Sequence, residues 1–296
     1  MSSNEEMNKM YSPLPKMSLA SRGRKSISYL QKMKDEGKLI VQMCPAGRDP
    51  YWTMAAEMAG CDICRLPSSG GTGGPEMSIE HAPFTLRSVR QVAPNIHINF
   101  VMETPTFASK EDALRYGSIY MATGADSLLP MGVNNETLKY MADNHLVVFG
   151  HVGALSGWQT LKWGTYRRLG KTAEDAMRIF RQAYEYQENG MLAMSIELTP
   201  FEVTRAIAKK LRVPVIAIAA SGGADGYEMV DMDTFGMMAS PATHAKTYAN
   251  FFKWASDAYG AWANDVRTAA YPEDKHGFHM DEAELDKFMN TLEQKY

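Results

Sequence analysis

From Leu39 to about Asp233 the chain repeats one pattern. A short, nearly all-apolar run is followed by a longer one with apolar residues three and four apart. The short runs are LIVQMCP, CDICRLP, HINFVME, SLLPMG, LVVFGHVG, LAMSIEL and VPVIAIAA, with YEMVDMD as an eighth. Runs this apolar predict strands covered on both faces, as in a parallel sheet. The longer runs predict helices and carry their own end signals. DPYWTMAAEMAG opens on Asp-Pro, SKEDALRYGSIYMATG has a Ser cap and a Gly stop, and TAEDAMRIFRQAYEYQENG has a Thr cap and a Gly end. SIEHAPFTLRSVRQVA, NNETLKYMADN and TPFEVTRAIAKKLR continue the alternation, with Pro83 limiting where the first of them starts. THAKTYANFFKWASDAYGAWANDVRTAA predicts a last helix that closes the set.

Eight such units in one chain predict an α/β fold, a (β/α)8 TIM barrel. A doubly wound open sheet is the alternative, but it calls for GxGxxG after the first strand, and LIVQMCP is followed by no such motif. Residues 1–24 are polar, with Pro, Ser and mixed charge, and predict a flexible N-terminal arm. Residues 25–296 then form a single barrel domain with C-terminal helices.

Charge narrows the partners. Lys and Arg number 31 against 34 Asp and Glu, a net charge of -3, which favours neither nucleic acid nor a membrane surface. The first residues lack the apolar core of a secretory signal, and three cysteines cannot all pair with one another, so a reducing cytoplasm is expected. Cys61 and Cys64 form CxxC within a strand-like run and read as plain thiols rather than a redox pair. A small-molecule substrate remains as the expected partner.

In a barrel of this kind the chemistry lies at the C-terminal ends of the strands. Those ends carry Ser68 and Ser69, Glu103, Met131, His151 and Glu197. Any one acid there equally suits a helix cap or an Arg partner. Glu103, His151 and Glu197 together, at one register of the repeat, point to general acid–base catalysis. The glycine-rich SSGGTGG offers backbone N–H groups, Gly70 among them, to a carboxylate, and doubles as a lid. Lys162, Arg167, Arg168 and Lys171 equally suit an anionic substrate or a solvated loop, and Trp158 and Trp163 equally suit ring stacking or helix packing.

Several stretches carry a family resemblance: GHVG at Gly150–Gly153, IELTP at Ile196–Pro200, VPVIAIAA with ADGYEMVDMDTFGM, and YPEDKHGFH at Tyr271–His279. From about Lys25 to His279 the chain resembles ketopantoate hydroxymethyltransferases, of the phosphoenolpyruvate mutase and isocitrate lyase superfamily. The resemblance implies a homo-oligomer and chemistry through the enolate of a 2-oxo acid. It implies a magnesium ion that holds the acid, and methylene-tetrahydrofolate as one-carbon donor. By position, Glu197 matches the base that removes the C3 proton, His151 the strand-five histidine, and Ser69 a serine that contacts substrate.

The implied metal shell is altered. Ser68 stands where the family has an aspartate ligand, and Glu103 where it has another aspartate. Leu129 replaces a lysine and Met131 a glutamate. Magnesium prefers hard oxygen donors, and of these side chains only Glu103 supplies an anionic one. Glu103 alone, or with His81 or Glu76, is the remaining metal candidate; otherwise Ser68, Ser69 and Gly70 hold the substrate oxyanion directly. Three functions follow: an enolate-based C–C bond enzyme with a different substrate, a 3-methyl-2-oxobutanoate hydroxymethyltransferase with an atypical metal site, or a metabolite-binding protein without turnover.

Overall fold

The computed structural model describes residues 23–46, 48–67, 79–102, 104–155, 162–165, 167–220, 222–238, 242 and 244–295. The eight expected strands form: β1 Ile40–Cys44, β2 Ile63–Leu66, β3 His97–Met102, β4 Ser127–Pro130, β5 Phe149–Gly153, β6 Ala193–Glu197, β7 Val215–Ile218 and β8 Gly226–Val230. All pair in parallel, in the order β4-β3-β2-β1-β8-β7-β6-β5, and a parallel bridge from Leu128 to Val148 joins the two ends. The sheet is therefore a (β/α)8 barrel, and the open-sheet alternative falls.

Helix α1 (Ile27–Asp35) precedes the barrel; α2 (Pro50–Ala59), α3 (Ala82–Val92), α4 (Lys110–Thr123), α5 (Asn135–Asp143), α6 (Ala173–Glu188) and α7 (Phe201–Lys210) pack around it. Their caps are those the sequence signals. Asp49 accepts from the Tyr51 N–H at 2.8 Å, Ser109 from Asp112 at 3.0 Å, and Thr172 from Asp175 at 3.2 Å. Pro83 sits in the first turn of α3, where its missing N–H costs nothing.

Successive strand residues face opposite sides, which sorts the core into two layers. Cys64, Leu66, Ile98, Phe100 and Leu128 face outward onto the helices. Ile40, Ile63, Val101, Leu129, Phe149 and Ile216 face the lumen, and Leu30 of α1 is buried among them as a plug in the floor. Lys25 and Lys34 tie that plug down through Asp62 at 2.7 Å and Asp225 at 2.6 Å, the residues just before β2 and β8.

A polar chain also anchors the floor. The His97 Nδ1–H donates to the Lys25 carbonyl at 3.0 Å, because a carbonyl can only accept. Its Nε2 then accepts from the Ser127 hydroxyl at 2.8 Å, and Asn99 donates to the same hydroxyl at 2.9 Å. Burial lowers the His97 pKa from 6.5 to about 4. The unfolded chain takes up this proton as pH falls through 6.5, whereas the folded chain resists until about 4. The stabilisation is therefore full above 6.5 and lost toward 4. By pH 4.5 the loss is on the order of 2–3 kcal/mol. Urea unfolding of wild type and His97→Gln at pH 7 and 4.5 should show this extra loss in wild type only; equal slopes would refute a neutral buried His97.

The C-terminal part departs from expectation. The last barrel strand ends at Val230, and Asp231–Thr234 turns into the short helix α8. Helix α9 runs over Phe251–Arg267, starting later than its sequence pattern predicts, and α10 over Glu282–Lys295. Neither contains a buried residue, so α9 does not close the helix ring. Phe251 meets Trp52 of α2 edge-on at 6.4 Å, while Phe252, Trp254, Tyr259 and Trp262 stay exposed. The expected N-terminal arm lies outside the described residues up to position 22; Arg24, at its end, donates to the Gly124 carbonyl at 3.0 Å.

Candidate active site

Glu197 is the last residue of β6 and faces the lumen at the barrel mouth, 8% exposed. The chain turns away immediately beyond it, with Leu198 in the left-handed region at φ +50°. Such backbone costs a non-glycine residue roughly 1–3 kcal/mol and is found where a site over-determines the local shape. Glycine is required opposite. Gly153 ends β5 at φ +89°, paired with Glu197, and a Cβ on it would lie 2.2 Å from the Glu197 carbonyl oxygen.

His151 lies two residues below the end of β5, in register with Ser195, one step deeper in the lumen than Glu197. Its Nε2–H donates to the Ala154 carbonyl at 2.7 Å and lies 3.3 Å from Glu197 Oε2. That fixes the ring and leaves Nδ1, buried and without a partner, as the nitrogen open to proton exchange. Glu197 Oε2 and Ser195 Oγ are also buried without a hydrogen-bond partner. Buried polar atoms normally find partners, and a group of orphans facing one lumen marks a place where another molecule supplies them.

The structure thus brings His151 and Glu197 together. Ser68, Ser69, Gly70 and Glu103 lie outside the described residues, as do Glu76 and Trp158. Met131 follows β4 directly, half-buried against the apolar lumen residues that include Leu129. His81 is exposed at the start of α3. Arg168 and Lys171 line a cavity of about 280 Å³ at the ends of β6 and β7, with Leu198, Pro200, Phe201 and His244. Arg167 instead lies over the Trp163 ring at 4.6 Å, and Lys162 over it at 5.9 Å, so that ring is engaged by its own neighbours. Cys44, Cys61 and Cys64 are free, and burial pushes the Cys64 thiol up to about 12, which leaves it unreactive at neutral pH.

Sequence reasoning missed two lumen residues. Arg65 of β2 and Glu228 of β8 point inward and are buried, with Arg65 Nη2 2.7 Å from Glu228 Oε1. Neither Oε1 nor Arg65 Nη1 has an aligned hydrogen-bond partner, so the contact is ionic. Gln42 donates to the other carboxylate oxygen of Glu228. Burial works against the Arg65 charge, but Glu228 above all, then Cys44 and Glu197, more than offset it and hold the guanidinium above its usual range. Burial pushes the Glu228 carboxyl up, and Arg65 only partly pulls it back. A charge inside ICRL and another inside GYEMV were the available signals, since an apolar barrel strand has no structural use for either.

With this geometry in place, the comparisons with known proteins are decisive. The sequence profile described as ketopantoate hydroxymethyltransferase matches residues 24–274. The chain belongs to that family. A 3-methyl-2-oxobutanoate hydroxymethyltransferase from Methylibium petroleiphilum is 26% identical over 93% of this chain and 96% of its own. One from Chloroflexus aurantiacus is 32% identical over 64% of this chain and 68% of its own. Among solved structures, phosphonopyruvate hydrolase covers 92% of this chain and 99% of its own at TM-score 0.53 and 16% identity. A 2,3-dimethylmalate lyase covers 95% and 96% at TM-score 0.52 and 12% identity, and both confirm the fold. Family membership makes the chain a C–C bond transferase or lyase. No helix among the described residues is long and apolar enough to cross a membrane.

The described residues do not by themselves supply a shell for the divalent ion the family uses, and the candidates Ser68, Glu76 and Glu103 lie outside them. Among the described residues no group of three His, Cys, Asp or Glu side chains is placed to hold a metal. The β4 wall is Leu129 and Met131, apolar and soft, and the lumen already holds a fixed cation in Arg65.

Proposed function

We propose that this enzyme makes or breaks a C–C bond beside the carbonyl of a 2-oxo acid through an enolate, on a substrate other than 2-oxoisovalerate (3-methyl-2-oxobutanoate). The observation that carries the reading is the buried Glu197–His151 pair at 3.3 Å at the barrel mouth. Glu197 takes the C3 proton, the C–H electron pair forms the C2=C3 bond, and the keto oxygen becomes an oxyanion. His151, held by the Ala154 carbonyl, stands beside the carboxylate and presents Nδ1 to the reacting molecule. Ser68, Ser69, Gly70 and Glu103, which follow β2 and β3 in sequence, are assigned to the same site, Ser68 to Gly70 as donors to the substrate's oxygens. The apolar wall of Leu129 and Met131 supports an acid less polar or larger than the family's usual one.

The second reading, favoured by the full-length similarity to 3-methyl-2-oxobutanoate hydroxymethyltransferases, is that activity itself, with methylene-tetrahydrofolate and an ion on Glu103. Proton exchange by NMR in D2O separates the two, using 2-oxoisovalerate and a panel of other 2-oxo acids, with magnesium or with EDTA. Exchange in EDTA, fastest with another acid, is the expected result. Exchange confined to 2-oxoisovalerate with magnesium would establish the second reading. Absence of exchange throughout would leave a metabolite-binding protein without turnover.

A cytoplasmic setting and a homo-oligomer are part of the proposal. The three free thiols support the first. The uncovered aromatic residues of α9 support the second, since Trp254, Tyr259 and Trp262 expose more apolar surface than one helix keeps in water without a partner. Light scattering should give at least a dimer; a monomer at micromolar concentration would refute it.

A further inference from the structure

The reaction proposed above creates an oxyanion, and something must meet its charge. We infer that the guanidinium of Arg65, braced by Glu228, is the cation that receives the carboxylate or enolate oxygen of the 2-oxo acid in place of a divalent ion. This inference rests on the enolate reading and adds the electrophile to it.

Arg65 is buried, its side chain 8% exposed, and it faces the same lumen as Glu197 and His151. Glu228 holds one end of the guanidinium at 2.7 Å, and Gln42 in turn holds Glu228. The head group is thus fixed before any ligand arrives, as electrostatic stabilisation of a developing charge requires. The other end, Nη1, is buried without an aligned hydrogen-bond partner, the Cys44 thiol being the guanidinium's other close neighbour. A charged donor left unpaired in a protein interior is expensive, and the planar fork of Arg matches a carboxylate with two parallel N–H groups. Other orphan acceptors and donors share the lumen: Glu197 Oε2, His151 Nδ1 and Ser195 Oγ lie on inward-facing positions of β5 and β6, and Asn99 Oδ1 on β3 in register with Arg65. The groups share one field, because Glu197 acts on Arg65, and Glu197 and His151 act on Glu228. A cavity of about 50 Å³ lies against the other side of the pair, lined by Glu228 with Ile218, Val230 and Asp233. The alternative is that the pair merely fills the lumen. An apolar pair of similar volume would then serve equally well, since buried ion pairs are often replaceable without loss of stability.

The test is calorimetric titration of oxalate, whose coplanar oxygens resemble the enolate of a 2-oxo acid, in EDTA. Wild type, Arg65→Lys and the double variant Arg65→Met with Glu228→Leu are compared, each with its unfolding midpoint. Wild type should bind, the double variant about 30-fold more weakly at an unchanged midpoint, and Arg65→Lys in between. Equal affinity in all three overturns the inference, as does binding by wild type only when magnesium is added, or no binding at all. Should the double variant not fold, unchanged affinity in Arg65→Lys overturns it alone. C3 exchange by wild type is measured alongside. Exchange without dependence on Arg65 rejects the inference and keeps the enolate reading; oxalate binding without exchange rejects the enolate reading itself.

Discussion

Glu197→Gln should lose C3 proton exchange by roughly a thousandfold, the middle of the range for removing a positioned general base. The amide is the same size and shape as the carboxylate but cannot take a proton at neutral pH. Glu197 is 8% exposed and lies on the last residue of β6, so packing around it changes little. The His151 Nε2–H is engaged by the Ala154 carbonyl and makes no hydrogen bond to Glu197 Oε2, so exchanging carboxylate for amide breaks no bond to it. The unfolding midpoint should therefore stay where it is while exchange disappears. NMR exchange rates in D2O, set beside thermal melts of the same samples, check both halves. Exchange within tenfold of wild type would remove Glu197 as the base and turn the search to His151 Nδ1, the nitrogen beside it in the lumen.

The parts of this site differ in how legible they are. Glu197 and His151 can be read from the chain because Glu197 closes one apolar strand and His151 lies two residues short of the end of another, and strand ends are where barrels hold chemistry. The strands themselves are legible because burial on both faces demands nearly unbroken apolar runs, and the helix caps because Asp49, Ser109 and Thr172 make local hydrogen bonds. Arg65 and Glu228 are different. They stand within strands, and their pairing depends on closure of the barrel, which places β8 beside β1 and within reach of β2. No local pattern encodes that distance. Helix α9 misleads for the opposite reason. Its amphipathic pattern states that an apolar face exists but not which surface covers it, and its own barrel does not. His97 too reads as an ordinary strand residue until Lys25 and Ser127 are seen on its two nitrogens.

Gly153→Ala should damage both stability and catalysis, and the reason lies in how β5 and β6 meet. Ala would carry its Cβ to 2.2 Å from the Glu197 carbonyl oxygen and 3.1 Å from the Glu197 carbonyl carbon and nitrogen, all backbone atoms. No rotamer change relieves a clash with backbone, and φ +89° is itself unfavourable for Ala. A loss of about 3 kcal/mol in urea unfolding is expected. The same shift reaches the chemistry by two routes. The Ala154 N–H donates to the Glu197 carbonyl at 2.9 Å, and the Ala154 carbonyl accepts from His151 Nε2 at 2.7 Å. Pushing Glu197 away from β5 therefore moves base and histidine relative to each other. A displacement near 1 Å costs a reaction about a hundredfold, so exchange measured well below the melting temperature should fall by about that much. A variant that loses stability yet exchanges at the wild-type rate while folded would show that Gly153 serves strand packing alone, and that the Glu197–His151 geometry is held by something other than the β5–β6 junction.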